Sequence, residues 1–268
     1  MTWTLPLWWR RLSPRLRKQN APDSLPPIPG SDPPVCIIGD VHGCAAALDR
    51  MLGLIAARPD GHIVRLIQVG DMIDRGPDSA GVLRRFRALC ADTPDRVICL
   101  MGNHERMCLD VLDDPATIPR WLMNGGDATL ASFGISARRG ADETDTALWH
   151  ALLADKLRAA LPPGTEDWLR ALPMLWHEDG LAVAHAAGDP SLPLAEQPET
   201  ALLWGTRRSR RWPHLDNVWM VHGHWITDTI SPQAGHIPTD TGAWRGGDLS
   251  AVWIGATGLE VLSVPGGD

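Results

Sequence analysis

The chain has 268 residues, 44% of them hydrophobic and 21% charged, a length that buries roughly three quarters of the surface its unfolded form exposes and a composition that excludes a disordered or disulfide-stapled protein. The formal net charge of −7 gives no global attraction to nucleic acid or acidic lipid, so such partners would need a local basic patch. Cys36, Cys44, Cys90, Cys99 and Cys108 cluster in the first half without CxxC spacing, arguing against a disulfide framework or a cysteine zinc site and for a reducing compartment. There is neither a membrane-spanning apolar run nor signal-peptide order at the N-terminus, so a cytoplasmic monomer is the expectation.

Residues 1–34 stand apart. Trp3, Trp8, Trp9, Leu12 and Leu16 alternate with Arg10, Arg11, Arg15, Arg17 and Lys18, a composition suited to weak contact with an anionic membrane surface. Pro6 and Pro14 interrupt any helix there, and a proline-rich stretch from Pro22 to Pro34 reads as an extended linker. A flexible tail is therefore favoured over an anchor.

From Val35 onward, short β-branched runs end in Gly, Asp, Asn or His. They are Val35–Ile38, Leu66–Val69, Val97–Met101, Leu181–Ala184 and Val218–Val221, and they read as buried strands. Helical patterns over Cys44–Ala57 and Asp78–Cys90 separate the first three, as in parallel α/β sheets, where ligands gather at the carboxyl ends of strands. Residues 105–172 read as a helical insertion, with one helix over Asp145–Ala160 and a shorter one ending in Trp121-Leu-Met-Asn-Gly-Gly. Ile237–Val264 reads as an antiparallel meander. The catalytic domain is thus expected over 35–268.

The strand exits collect Asp40 and His42 (GDVHG), Asp71, Asp74 and Arg75 (GDMIDRG), Asn103 and His104 (GNHE), His185, and Gly223-His224. Each motif alone is more simply a turn or a core histidine. Together they supply mixed carboxylate, imidazole and carboxamide ligands, which suit Mn²⁺, Fe or Zn²⁺ better than Cu(I) or Ca²⁺. One Asp shared between two ions, with further ligands on each side, would form a two-metal site for in-line attack on phosphorus.

GDVHG, GDMIDRG and GNHE, followed by His185 and Gly223-His224, resemble the phosphoprotein phosphatase branch of the calcineurin-like metallophosphoesterases, in particular its compact bacterial and phage members. The resemblance spans about 35–264 and takes in the Trp121, Leu203-Trp204 and Asp240-Thr-Gly-Ala segments. It implies a four-layer α/β/β/α sandwich with two mixed sheets and the helical insertion. It also implies that Asp40, His42 and Asp71 hold a first divalent ion, and that Asp71, Asn103, His185 and His224 hold a second.

A hydroxide shared by those ions is then the expected nucleophile, His104 the general acid, Asp74 the carboxylate that orients it, and Arg75 the phosphoryl clamp. Members of the family place a second arginine where this chain has Thr206. Arg207, one residue later, is the expected replacement, with Arg208 next. Arg210 and Arg211 read as solvated surface or an acidic-substrate rim rather than a nucleic-acid site. His222 is expected in the core, Asp240 near the site or in a turn, and Cys44 as a buried, inert thiol.

The resemblance favours a serine/threonine protein phosphatase acting on a phosphorylated protein or peptide. A symmetrical dinucleoside tetraphosphate hydrolase is the alternative; its members usually lack the acid at the position of Asp74 and carry GNHD. A phosphoprotein-binding protein without activity would be expected to have lost ligands, and none is missing here.

Overall fold

The computed structural model describes residues 26–140 and 145–267; the basic amphipathic segment and its suggested membrane contact fall in 1–25, outside the described residues. In chain order, β1 (Val35–Ile38), α1 (Ala45–Ala56), β2 (Arg65–Gln68), α2 (Ser79–Asp92) and β3 (Val97–Cys99) form the expected alternation. Five helices follow: α3 (Asn103–Asp113), α4 (Ile118–Leu122), α5 (Gly126–Ser132), α6 (Thr146–Ala160) and α7 (Thr165–Arg170). The rest comprises β4 (Leu175–Glu178), β5 (Leu181–Ala184), α8 (Glu199–Trp204), β6 (Trp219–His222), β7 (His236–Pro238), β8 (Asp248–Gly255) and β9 (Gly258–Pro265). Among the described residues no helix is long and apolar enough to cross a membrane.

Two mixed sheets result, ordered β3-β2-β1-β8-β9 and β4-β5-β6-β7. Strand alternation sorts their side chains into layers. Val35, Ile37, Ile67, Val183, Val221 and Val252 fill the space between the sheets, while Cys36, Ile38 and Leu66 face outward onto Leu48, Met51 and Phe86 of α1 and α2. Met107, Leu109, Trp121, Leu153, Leu157 and Leu169 of the helical segment belong to that same outer core. On the far face Ala182, Ala184 and Met220 meet Leu202 of α8. This is the α/β/β/α sandwich, with a fourth layer reduced to one short helix and loops.

Two details depart from the sequence reading. Ile237 does not open a meander: β7 pairs in parallel with β6 in the second sheet, and within 237–264 only β8 and β9 pair with each other as an antiparallel hairpin. The reason is burial, since Ile237 is an inter-sheet core residue and the chain must then cross to the first sheet. Strand β4 carried no apolar signal because it is an edge, with His177 and Glu178 exposed.

Candidate active site

Parallel strands β1, β2, β3, β5 and β6 end on one side, and their exits carry the polar motifs to one place. The turns that do this are costly. His42, Asp71, Asp74, Arg75 and His224 have φ of 43°, 58°, 70°, 69° and 67°, a left-handed conformation that costs a side-chain-bearing residue about 1–3 kcal/mol and persists where the surroundings enforce it. For Asp71 the enforcer is Glu105. Its buried Oε2 accepts from the Asp71 and Gly102 N–H groups at 2.8 and 2.9 Å, and Oε1 from those of Met72 and Ile73 at 2.8 and 3.3 Å. Gly102 is required because a Cβ there would collide with the Asp71 backbone nitrogen.

Two clusters of donor atoms share Asp71. His42, Asp71 and His104 lie mutually within 4.8 Å, as do Asp71, His185 and His224. Asn103 Oδ1 is 2.8 Å from His185 Nε2 and 2.9 Å from His224 Nδ1, so the carboxamide joins the second cluster. The remaining nitrogens of two rings are already committed: His42 Nδ1 is 2.8 Å from the Ile73 carbonyl and His185 Nδ1 is 3.2 Å from that of Val69. Such bonds fix ring orientation and leave Nε2 for a metal.

Asp40 lies outside both clusters but faces them. Its Oδ2 accepts from the His224 N–H at 3.0 Å, while its buried Oδ1 has no partner. Burial, then Asp240 and Asp71, push its carboxyl well above the usual range. A buried carboxylate oxygen without a donor, beside two more carboxylates, is a site that a cation relieves. Burial opposes ionisation of Asp71 too, but His185, His104, His42 and His224 outweigh it and hold its carboxyl below the usual range. Burial also lowers His42 and His224 to about 3, and lowers His185, keeping these imidazoles in the neutral, metal-ready form. All six implied ligands are therefore in one place, and the donor set fits two divalent ions. Asp71→Asn is expected to leave at most one ion per chain and to reduce the rise in melting temperature on adding Mn²⁺; metal analysis and thermal melts check this.

Beside the shared carboxylate lies a second constellation. His104 Nδ1 is 2.7 Å from Asp74 Oδ2, and its Nε2, buried and without a partner, is 3.8 Å from Asp71 Oδ2. Burial lowers the His104 pKa, but Asp71 and Asp74 outweigh it and the net shift is upward. Asp74, raised by its burial, is held by the Trp121 indole N–H at 2.9 Å and the Thr129 hydroxyl at 2.6 Å. Its backbone N–H donates to the Ser79 and Thr129 hydroxyls. Sequence reasoning missed these supports and the role of Glu105; only the Trp121-Leu-Met-Asn-Gly-Gly segment hinted at them.

Arg75 Nη1 is 3.1 Å from His42 Nε2, and its guanidinium lies 5.0 Å over the half-exposed Trp244 indole. Arg207 and Arg208 are both exposed, and neither guanidinium bonds a site residue among the described ones. Asp240, buried and raised to about 6 chiefly by that burial, accepts from the Gly242 N–H and acts on Asp40. Cys44 is fully buried, with Sγ 3.7 Å from the His42 carbonyl.

His222 is a core residue. It is buried, packs edge-on to Trp225 and His236, and burial lowers it to about 3. The folded state therefore keeps it neutral, whereas the unfolded chain protonates it near 6.5, and its contribution to stability is lost as pH falls from about 6.5 towards 3. The stability of the wild type relative to His222→Phe is expected to drop by about 1.4 kcal/mol per pH unit in that window. Parallel urea-denaturation profiles would contradict it.

A mixed carboxylate, imidazole and carboxamide cluster at the strand exits of a two-sheet sandwich, with an acid–base pair and an arginine beside it, defines a metal-dependent phosphoesterase. The model of the calcineurin-like phosphoesterase family matches residues 33–228, and the chain belongs to that family. Its members use a binuclear divalent metal site, with which the two clusters are compatible.

The chain is 43% identical over 94 residues to serine/threonine-protein phosphatase 1 of Salmonella typhimurium, covering 35% of this chain and 39% of that one. It is 27% identical to a symmetrical bis(5'-nucleosyl)-tetraphosphatase of Paracidovorax citrulli over 83% of this chain and 93% of the relative. Among solved structures, a putative diadenosine tetraphosphatase shares the fold with TM-score 0.61 and 24% identity, over 91% of this chain and 97% of that one. A protein serine/threonine phosphatase from Saccharomyces cerevisiae does so with TM-score 0.57 and 14% identity, over 88% and 80%.

Proposed function

We propose that the chain is a metal-dependent phosphomonoester hydrolase whose substrates are phosphoserine and phosphothreonine in proteins. The observation that carries this reading is the buried His104–Asp74 pair beside Asp71, with His104 Nε2 unpartnered. Asp40, His42 and Asp71 would hold one ion, and Asp71, Asn103, His185 and His224 the other, with Mn²⁺ favoured by the mixed ligands and Fe or Zn²⁺ as alternatives. When bound, the two ions supply an activated nucleophile and neutralise charge on the phosphoryl group.

The chain's own residues do the rest. Arg75 grips phosphoryl oxygens through its planar fork of donors. His104 gives its Nε2 proton to the leaving alkoxide, and Asp74 holds the ring through Nδ1–H, so the acid's orientation is set before substrate arrives. Trp121 and Thr129 bond Asp74 and keep that carboxylate from turning away. Arg207, with Arg208 next, supplies the second clamp in this reading, through a long exposed side chain on the 206–211 loop.

A second reading, a symmetrical dinucleoside tetraphosphate hydrolase, is favoured by the extent of the Paracidovorax match, 83% of this chain against 35% for the Salmonella phosphatase. The test is kcat/KM with Mn²⁺ on a phosphoserine peptide and on diadenosine tetraphosphate. Faster peptide hydrolysis is expected. Faster cleavage of the tetraphosphate moves the substrate to nucleotides, and two bound ions with neither activity point to a phosphoprotein-binding protein.

A further inference from the structure

Arginines remote from the site divide between those with carboxylate partners and those, such as Arg50, Arg87 and Arg96, that bond backbone carbonyls instead. Arg58, Arg65, Arg85, Arg106, Arg158 and Arg170 each form an ion pair. Arg120, Arg207, Arg208, Arg210 and Arg211 form none among the described residues, although the chain is acidic overall with net charge −7. Two of these are nevertheless held in place. The Arg120 guanidinium lies 4.9 Å over the Trp204 indole and that of Arg210 lies 4.9 Å over the Trp225 indole.

Both indoles abut the same site residue. Trp204 meets the His224 ring edge-on with centroids 6.1 Å apart, and Trp225 does so at 5.0 Å. Each arginine is therefore one indole away from His224, and the two come from different parts of the chain, α4 and the loop after α8. That loop is itself pinned: the Ser209 hydroxyl donates to the Gly188 carbonyl and accepts from the Thr206 N–H. A guanidinium lying over an indole keeps its charge and its edge N–H donors while its rotamer freedom is already restricted. A group of this kind without a carboxylate partner keeps its donors available to an anion.

We infer that Arg120 and Arg210, seated on Trp204 and Trp225, form a second anion site that reads a negative group on the substrate beyond the phosphate that is cleaved. This rests on the phosphoesterase reading of the adjoining centre and deepens it. The shared chemistry is a substrate with a second anion close to the reacting phosphate, provided either by acidic residues flanking a phosphoserine or by the remaining phosphates of a dinucleoside polyphosphate.

The test uses the full chain with Mn²⁺ and compares wild type, Arg120→Ala and Arg210→Ala. Substrates are 4-nitrophenyl phosphate, a phosphoserine peptide with flanking aspartates, the same peptide with alanines, and diadenosine tetraphosphate. Binding of both peptides carrying a non-hydrolysable phosphonate is measured by calorimetry. The expected result is a rise of about tenfold in KM or Kd for the doubly anionic ligand, at least fivefold larger than the change for its singly anionic counterpart. A rise confined to the aspartate peptide assigns the second anion to protein, and one confined to the tetraphosphate assigns it to nucleotide. Equal changes for all ligands, or none, overturn the second site. Both arginines are exposed and form no ion pair among the described residues, and the melting temperature of each variant checks that it folds. Wild-type protein that hydrolyses nothing yet binds the aspartate phosphonate selectively would overturn the phosphoesterase reading while supporting the anion site; turnover without that selectivity does the reverse.

Discussion

His104→Asn is expected to lower kcat/KM on alkyl phosphates by about 10²- to 10⁴-fold while leaving two ions per chain. Asn103, a proposed ligand, is its neighbour, yet His104 spends its Nδ1 on Asp74 and leaves Nε2 unpartnered, so removing the ring deletes a proton donor. The size of the loss should track the leaving group. A phosphoserine peptide departs as a poor alkoxide and needs the proton; 2,4-dinitrophenyl phosphate departs as a stable phenolate, and its hydrolysis should fall by less than about tenfold. Equal losses on both, with ions retained, would assign His104 to substrate binding instead.

Glu105→Gln should have the largest structural consequence of any single-atom change at the site. The carboxylate accepts from four backbone N–H groups, and charge-assisted bonds of this kind are worth about 1.5–3 kcal/mol each. A carboxamide presents one oxygen and one NH₂, so the N–H groups facing the NH₂ are left buried without an acceptor. Burial, with the charge on Asp71 adding to it, raises Glu105 to about 7, which offsets part of the gain. A net loss of about 3 kcal/mol is expected in urea denaturation, with metal affinity weakened about 10- to 100-fold because Asp71 loses its backbone anchor. A stability change within about 0.5 kcal/mol and undiminished metal affinity would show that the loop holds itself.

Both variants act on features of unequal visibility in the sequence. The strand exits were legible because β1, β2, β5 and β6 lie in sheet interiors, β3 is an edge strand that α2 and α3 still cover, and all five read as short apolar runs that stop at Gly-Asp, Gly-Asn or His. The same logic failed at β4, where an edge strand carries Trp176, His177 and Glu178, and at β7, whose three residues give no hint of which sheet they join. That these polar residues meet in one place was legible by co-occurrence. What holds them there was not. Glycine advertises a left-handed turn, but His42, Asp71, Asp74, Arg75 and His224 adopt one with side chains that ordinarily avoid it. Glu105 reads as a surface residue by type, and its role appears only when its distance from the Asp71 loop is known. For the arginines, the family pattern directs attention to Arg207 and Arg208. Stacking seats Arg120 and Arg210 on indoles that abut His224, and neither stack has a sequence signature.

The central claim is a two-metal phosphoesterase centre built on a shared Asp71. Its most direct test is the ion count per chain after dialysis against Mn²⁺, paired with 4-nitrophenyl phosphate hydrolysis before and after chelation. Two ions per chain, with activity lost on chelation and restored by Mn²⁺, are predicted; full activity in chelator, or a single ion that Asp71→Asn leaves bound and active, would contradict it.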